Sequence, residues 1–149
     1  NGDFMLLNLS ISNFAVFENE SIKFEKGFNV FTGETGSGKS VLIDALSMIL
    51  GERSSKDLIR KGKNSALIEA VFDISSYEEV QSCLKKINIE IDSEDYLIVS
   101  REILENGKSI SKINGRTIPL SSLKEAGSLL ISYFIIGQSH SKRIDTFNE

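Results

Sequence analysis

The residues with the clearest chemical meaning form one short run. Gly33, Glu34, Thr35, Gly36, Ser37, Gly38, Lys39 and Ser40 follow the spacing G-x-x-x-x-G-K-[ST]. Glycines at these positions allow backbone angles that turn consecutive N–H groups inward. A helix opening directly after them adds partial positive charge, so the loop becomes a nest for a phosphate-sized anion. Lys39 then reaches the β- and γ-phosphates of a nucleotide, and the Ser40 hydroxyl binds Mg2+. Together with Val41, these residues are the expected nucleotide contacts, with Lys39 also expected to act in catalysis. The competing account is a chance match in a glycine-containing turn, and it leaves unexplained the strand before the loop and the helix after it.

That context is legible on both sides. Residues 28–32 (FNVFT) form an apolar run that ends in the loop, and residues 39–50 read as a helix stopped by Gly51. The helix carries apolar residues nearly all the way round, which marks it as central to the fold. Upstream, residues 5–11 and 21–25 are short β-type runs with turn-prone Asn13, Glu18 and Asn19 between them, which predicts an opening hairpin. Downstream, residues 67–74 alternate like a half-buried strand and residues 77–87 predict a helix. Residues 96–103 and 108–113 read as hairpin strands joined through Asn106 and Gly107, with a second tight turn at Asn114 and Gly115. A last helix is predicted over 120–130, capped from the Ser121 and Ser122 region, and an apolar run over 129–136 leads to Gly137 and Gln138. The sum is an α/β fold in which a P-loop core stands beside an antiparallel β-subdomain.

Bulk composition narrows the setting. At 149 residues, 40% hydrophobic and 26% charged, the chain suits one globular lobe with its own core. A net charge of -4 gives no overall attraction to nucleic acid, so any DNA contact must come from a local patch or from sequence elsewhere. One cysteine, Cys83, and one histidine, His140, exclude an internal disulfide and a histidine–cysteine zinc site. No apolar run approaches the roughly 20 residues that cross a bilayer, so the expectation is a cytoplasmic protein with no membrane partner. Residues 1–4 precede Met5 and read as a possible tag remnant, which leaves 5–149 as the lobe.

Other P-loop chemistries fit less well. A GTPase would offer Asn-Lys-x-Asp and Asp-x-x-Gly after the loop, and neither string occurs. A free-standing P-loop phosphotransferase is the main alternative, but the sequence has no arginine-rich lid to clamp a transferring phosphoryl group. Hydrolysis normally needs an acidic residue at the end of a second apolar strand. Ala70-Val71-Phe72-Asp73 fits superficially, yet Ile74 stands where a glutamate is expected and the run alternates, so Asp73 reads as structural. The missing carboxylates imply half of an active site, completed by another segment or chain.

At this point the sequence resembles a known family. Residues 5–15 (MLLNLSISNFA), 24–30 (FEKGFNV), the loop over 32–40 and 43–46 (IDAL) closely resemble the start of bacterial RecN proteins. Residues 57–62 (DLIRKG), 69–73 (EAVFD), 101–103 (REI), 113–116 (INGR) and 137–138 (GQ) follow in the family's order, so nearly the whole chain is covered. The resemblance implies the N-terminal segment of an SMC-like, ABC-type ATPase head that serves DNA double-strand-break repair and recombination. On that reading the partners are the protein's own C-terminal head segment, which carries the signature motif, the Mg2+-binding aspartate and the catalytic glutamate, and a second head in an ATP-sandwiched homodimer. ATP and Mg2+ are the implied cofactors, DNA a partner of the full-length protein, and the nucleoid its location. The head of another SMC or RecF-type DNA-maintenance ATPase is a related reading.

The resemblance also assigns roles to single residues. Gln138 takes the position of the Q-loop glutamine, a ligand to Mg2+ and the attacking water. Relatives carry a histidine-rich stretch after it, of which this chain keeps only His140. Asn13 and Phe14 fall in the turn that lies near the adenine and ribose in this family, with core packing the other account of Phe14. Arg60 resembles the SMC-family arginine near the nucleotide and DNA surface. It belongs to a run of five cations, Arg53, Lys56, Arg60, Lys61 and Lys63, within eleven residues. Such a run is either a solvated face or a set of phosphate contacts to duplex DNA.

Overall fold

A computed structural model describes residues 6–24, 36–91 and 96–132, with residues 36–40 described by their backbone. β1 (Leu6–Phe14) and β2 (Phe17–Lys23) form the opening hairpin, paired from Asn8 with Lys23 to Phe14 with Phe17. Its turn is tighter than the sequence suggests, because Asn13, Glu18 and Asn19 lie within the strands and only Ala15 and Val16 connect them. Polar side chains bond across the paired strands: the Ser12 hydroxyl donates to Asn19 Oδ1 at 3.1 Å, and the Ser21 hydroxyl donates to Asn8 Oδ1 at 3.3 Å. Asn13 (φ 53°) and Ala15 (φ 54°) reverse the chain by entering the left-handed region, as tight hairpin loops demand.

Four further strands complete the sheet: β3 (Ser65–Asp73), β4 (Tyr96–Leu104), β5 (Ser109–Ile113) and β6 (Arg116–Ile118). The order is β2-β1-β3-β4-β5-β6, and every neighbouring pair is antiparallel. The meander over β3 to β6 follows the sequence expectation closely. Asn114 (φ 50°) and Gly115 (φ 84°) make the last turn, and the Asn114 side chain accepts the Ile98 N–H at 2.7 Å.

Strand alternation divides the sheet into two faces. Leu9 and Ile11 on β1, Ala66, Ile68, Ala70 and Phe72 on β3, and Leu97, Val99 and Ile103 on β4 are buried, whereas Leu67 and Ile98 are exposed. The buried set forms one core with three helices: Leu42, Ala45, Met48 and Ile49 of α1 (Gly36–Ile49), Val80 and Leu84 of α2 (Glu78–Lys86), and Leu123, Ala126 and Leu130 of α3 (residues 120–132). α2 matches its expected span. Its first turn carries Glu78 and Glu79 and its last Lys85 and Lys86, each complementing the helix dipole.

The other two helices depart from expectation in informative ways. α1 begins at Gly36 rather than Lys39, because the second half of the glycine-rich motif is itself the first helical turn. It is not buried all round among the described residues, since Ile43 and Asp44 are exposed. Gly51 (φ 104°) ends it as expected. α3 begins at Leu120, and the Pro119 carbonyl accepts its first backbone bonds, from Ser122 at 3.0 Å and Leu123 at 3.2 Å. Ser121 and Ser122 therefore lie inside the first turn and are not the cap. Residues 129–132, the start of the expected apolar run, are helical. The strand expected over 28–32 lies outside the described residues. No described helix is long and apolar enough to cross a membrane.

Candidate nucleotide-binding site

Where α1 starts decides what the site can do. Gly36, Ser37, Gly38, Lys39 and Ser40 occupy its first turn, and the first four N–H groups of any helix lack an intrahelical acceptor. Those donors and about half an elementary charge of macrodipole converge on the helix end, inside the motif. Val41 is partly buried and packs against the core, so its side chain is committed to the fold. Gly33, Glu34 and Thr35, the side chains of Lys39 and Ser40, and Gln138 and His140 lie outside the described residues.

Asn13, Phe14 and Arg60 meet at one corner. The Arg60 N–H donates to the Asn13 carbonyl at 2.8 Å, the Ala15 N–H donates to the Leu58 carbonyl at 2.7 Å, and Phe14 forms an antiparallel bridge with Ile59. The segment after α1 is thus zipped onto the hairpin tip, which holds Asn13 and Ala15 in left-handed conformations that cost of order 1–3 kcal/mol each when unsupported. The Arg60 guanidinium adds a bond, donating through Nη1 to the Val16 carbonyl at 2.8 Å. The Phe14 side chain is fully buried, which makes its ring part of the core. Arg53, Lys56, Lys61 and Lys63 are exposed and Arg60 is half-buried. The five cations are thus four solvated side chains and one that braces the tip.

Sequence reasoning missed two residues that grip the other end of α1. Arg101 on β4 is only 1% exposed. Its Nη1 donates to the Met48 carbonyl at 2.9 Å and also to the Glu52 carbonyl, while Nη2 donates to the Ser109 hydroxyl on β5 at 2.8 Å. Among the described residues its Nε, which is buried, has no hydrogen-bond partner. Burial lowers the guanidinium's pKa from its ordinary value. The signal was available: Leu97, Val99 and Ile103 place position 101 on the inward face of the strand, where a cation is out of place. The second is Gly127 on α3. A Cβ there would sit 2.0 Å from the Leu50 carbonyl oxygen, so the α3 backbone lies directly against the end of α1.

Other singled-out residues have structural work. Asp73 Oδ1 accepts from the Ser75 N–H at 3.0 Å and from its hydroxyl at 2.7 Å, a local turn at the end of β3. Arg116 donates to the Asn88 carbonyl at 3.3 Å, and Asn114 Nδ2 donates to the Glu90 carbonyl at 3.3 Å, which ties the end of α2 to the sheet. Among the described residues, no group of three or more histidine, cysteine or acidic side chains could hold a metal.

Comparison with known proteins gives this geometry a family context. The AAA-domain family matches over residues 8–148. The DNA repair protein RecN of Bacillus subtilis is 39% identical over 127 residues, covering 85% of this chain and 22% of that protein. RecN of Synechocystis is 36% identical over 138 residues, covering 91% of this chain and 23% of that protein. The chain therefore spans about a fifth of the length of these relatives, and they bear out the resemblance read from the sequence. Among solved structures, one from a study of ATP-driven dimerization and DNA-stimulated activation of SMC ATPases superposes with a TM-score of 0.64 at 25% identity, over 83% of this chain and 79% of that one. The RecF recombination mediator superposes with a TM-score of 0.60 at 16% identity, over 81% and 30%, and shows likeness of fold. The architecture is that of an α/β ABC-type ATPase head lobe.

Proposed function

We propose that this chain, which belongs to the AAA-domain family, is the ATP-binding lobe of a RecN-like, SMC-type ATPase that serves DNA double-strand-break repair and recombination in the bacterial cytoplasm, at the nucleoid. The observation that carries the reading is the start of α1 at Gly36, inside the phosphate-loop motif, where the first N–H groups of the helix have no intrahelical acceptor. Gly33 to Ser40 would hold the phosphates, with Lys39 offsetting their charge, and Ser40 and Gln138 would hold Mg2+, which would supply further neutralisation of phosphate charge. Arg60 and Asn13 border the nucleotide through the braced hairpin tip. The core carboxylates of hydrolysis come from the protein's own C-terminal segment, and ATP drives engagement with a second head. The exposed cations Arg53, Lys56, Lys61 and Lys63 offer phosphate contacts to DNA in the complete protein.

ATP binding and turnover by this chain, alone and mixed with the C-terminal segment, test the reading. Binding without efficient turnover is expected from the chain alone, and turnover from the pair. Lys39→Ala should abolish both. Robust turnover by the chain alone would overturn the split head and favour a free-standing phosphotransferase.

A further inference from the structure

We propose that Arg101 is a positioning residue for nucleotide binding, fixing where α1 lies along its own axis and hence where the N–H groups of Gly36 to Ser40 meet phosphate. The inference rests on the nucleotide-binding reading above.

Leu42, Ala45, Met48 and Ile49 press α1 onto the sheet, but apolar contact is non-directional and resists sliding along the helix axis only weakly. Hydrogen bonds are directional, and one planar guanidinium supplies three of them here. Two end on the Met48 and Glu52 carbonyls, at and just beyond the end of α1, and the third on Ser109 of β5. The C-terminal end of the helix is thereby tied to two strands at a fixed height. At 1.5 Å rise per residue the 14-residue helix is about 21 Å long and moves as a stiff rod, so a shift at Met48 reappears at Gly36. The arrangement costs stability, because a cation is buried with its Nε unpaired among the described residues. An apolar side chain would complete the row of Leu97, Val99 and Ile103 without that cost. What Arg101 adds is therefore direction, applied to the helix that carries the phosphate loop.

The test measures ATP affinity and urea stability of the whole chain for four variants. Arg101→Met should weaken ATP binding by about tenfold in the folded protein, and Arg101→Lys, which keeps a donor, should recover part of the loss. Ile118→Ala removes buried core on β6, two strands away from Arg101 in the sheet, and should lower stability while leaving affinity within about twofold of wild type. Ser109→Ala removes one of the three bonds and should weaken binding about threefold, which keeps the test decisive if Arg101→Met does not fold. Wild-type affinity in Arg101→Met or in Ser109→Ala, or an equal loss of affinity in Ile118→Ala, would overturn the proposal. Absence of ATP binding by the wild-type chain would overturn the nucleotide-binding reading itself, and so is separable.

Discussion

Gly127→Ala sets two well-understood effects against each other. In an exposed helix interior the substitution stabilises by roughly 1 kcal/mol, because glycine is the poorer helix former. In α3 the new methyl carbon would stand 2.0 Å from the Leu50 carbonyl oxygen, 2.6 Å from its carbonyl carbon and 3.0 Å from its Cα. All three are backbone atoms at the end of α1, so no side chain can rotate away. Ordinary contact requires α3 to withdraw by roughly 1.4 Å, in an interior packed as densely as an organic crystal. A gap of that size forfeits more than a quarter of the dispersion contact that Leu123, Ala126 and Leu130 make with the core.

Overpacking costs about 1–3 kcal/mol, and a clash with backbone atoms calls for the upper end; after the helix-propensity gain of roughly 1 kcal/mol the net change is about 2 kcal/mol of destabilisation. For a chain of this length that lowers Tm by roughly 4–8 °C. Circular dichroism during thermal and urea unfolding reads the change directly. The reasoning is refuted if Gly127→Ala is as stable as wild type or more so, because the sign itself separates a packed glycine from an exposed one. Gly51 supplies a companion measurement. A Cβ there would meet the Lys124 Cα at 2.7 Å, and its φ of 104° disfavours any side chain, so Gly51→Ala should destabilise as well.

Two further outcomes follow from the described side chains. Asp73→Ala removes the bonds to Ser75 and should cost about 1 kcal/mol while leaving Mg2+-dependent ATP affinity unchanged; a selective loss of Mg2+-dependent binding, measured with a fluorescent nucleotide, would instead make Asp73 a metal ligand. The Cys83 thiol is pushed up by burial and then by Glu125, with Lys86 pulling the other way. A raised pKa means less thiolate at pH 8, so iodoacetamide should alkylate Cys83 several-fold more slowly than free cysteine, and Glu125→Gln should speed the reaction; an unchanged rate in that variant would rule out the Glu125 contribution.

What could be read from the sequence depended on whether the determining interaction was local. The phosphate loop is a property of consecutive backbone units, so Gly33 to Ser40 announce it without tertiary help. β3, β4 and β5 were legible because one face is buried and the other is not, which imposes a period of two. The hairpin ends were misread because Asn13, Glu18 and Asn19 have the composition of a turn while lying in paired strands, where Asn19 accepts from Ser12 across the ladder. Arg101 was visible as an exception to its strand's apolar row, but its acceptors at Met48 and Glu52 were not, since nothing near either residue encodes the other. Gly127 gave no signal at all, because a helix-interior glycine looks the same whether water or the Leu50 carbonyl lies over it. These long-range contacts share an address. Arg101, Gly127 and Gly51 all act at the C-terminal end of α1 and leave the Gly36 end to the phosphate loop. Local sequence specifies the chemistry at one end of this helix, and distant sequence specifies where that chemistry is held.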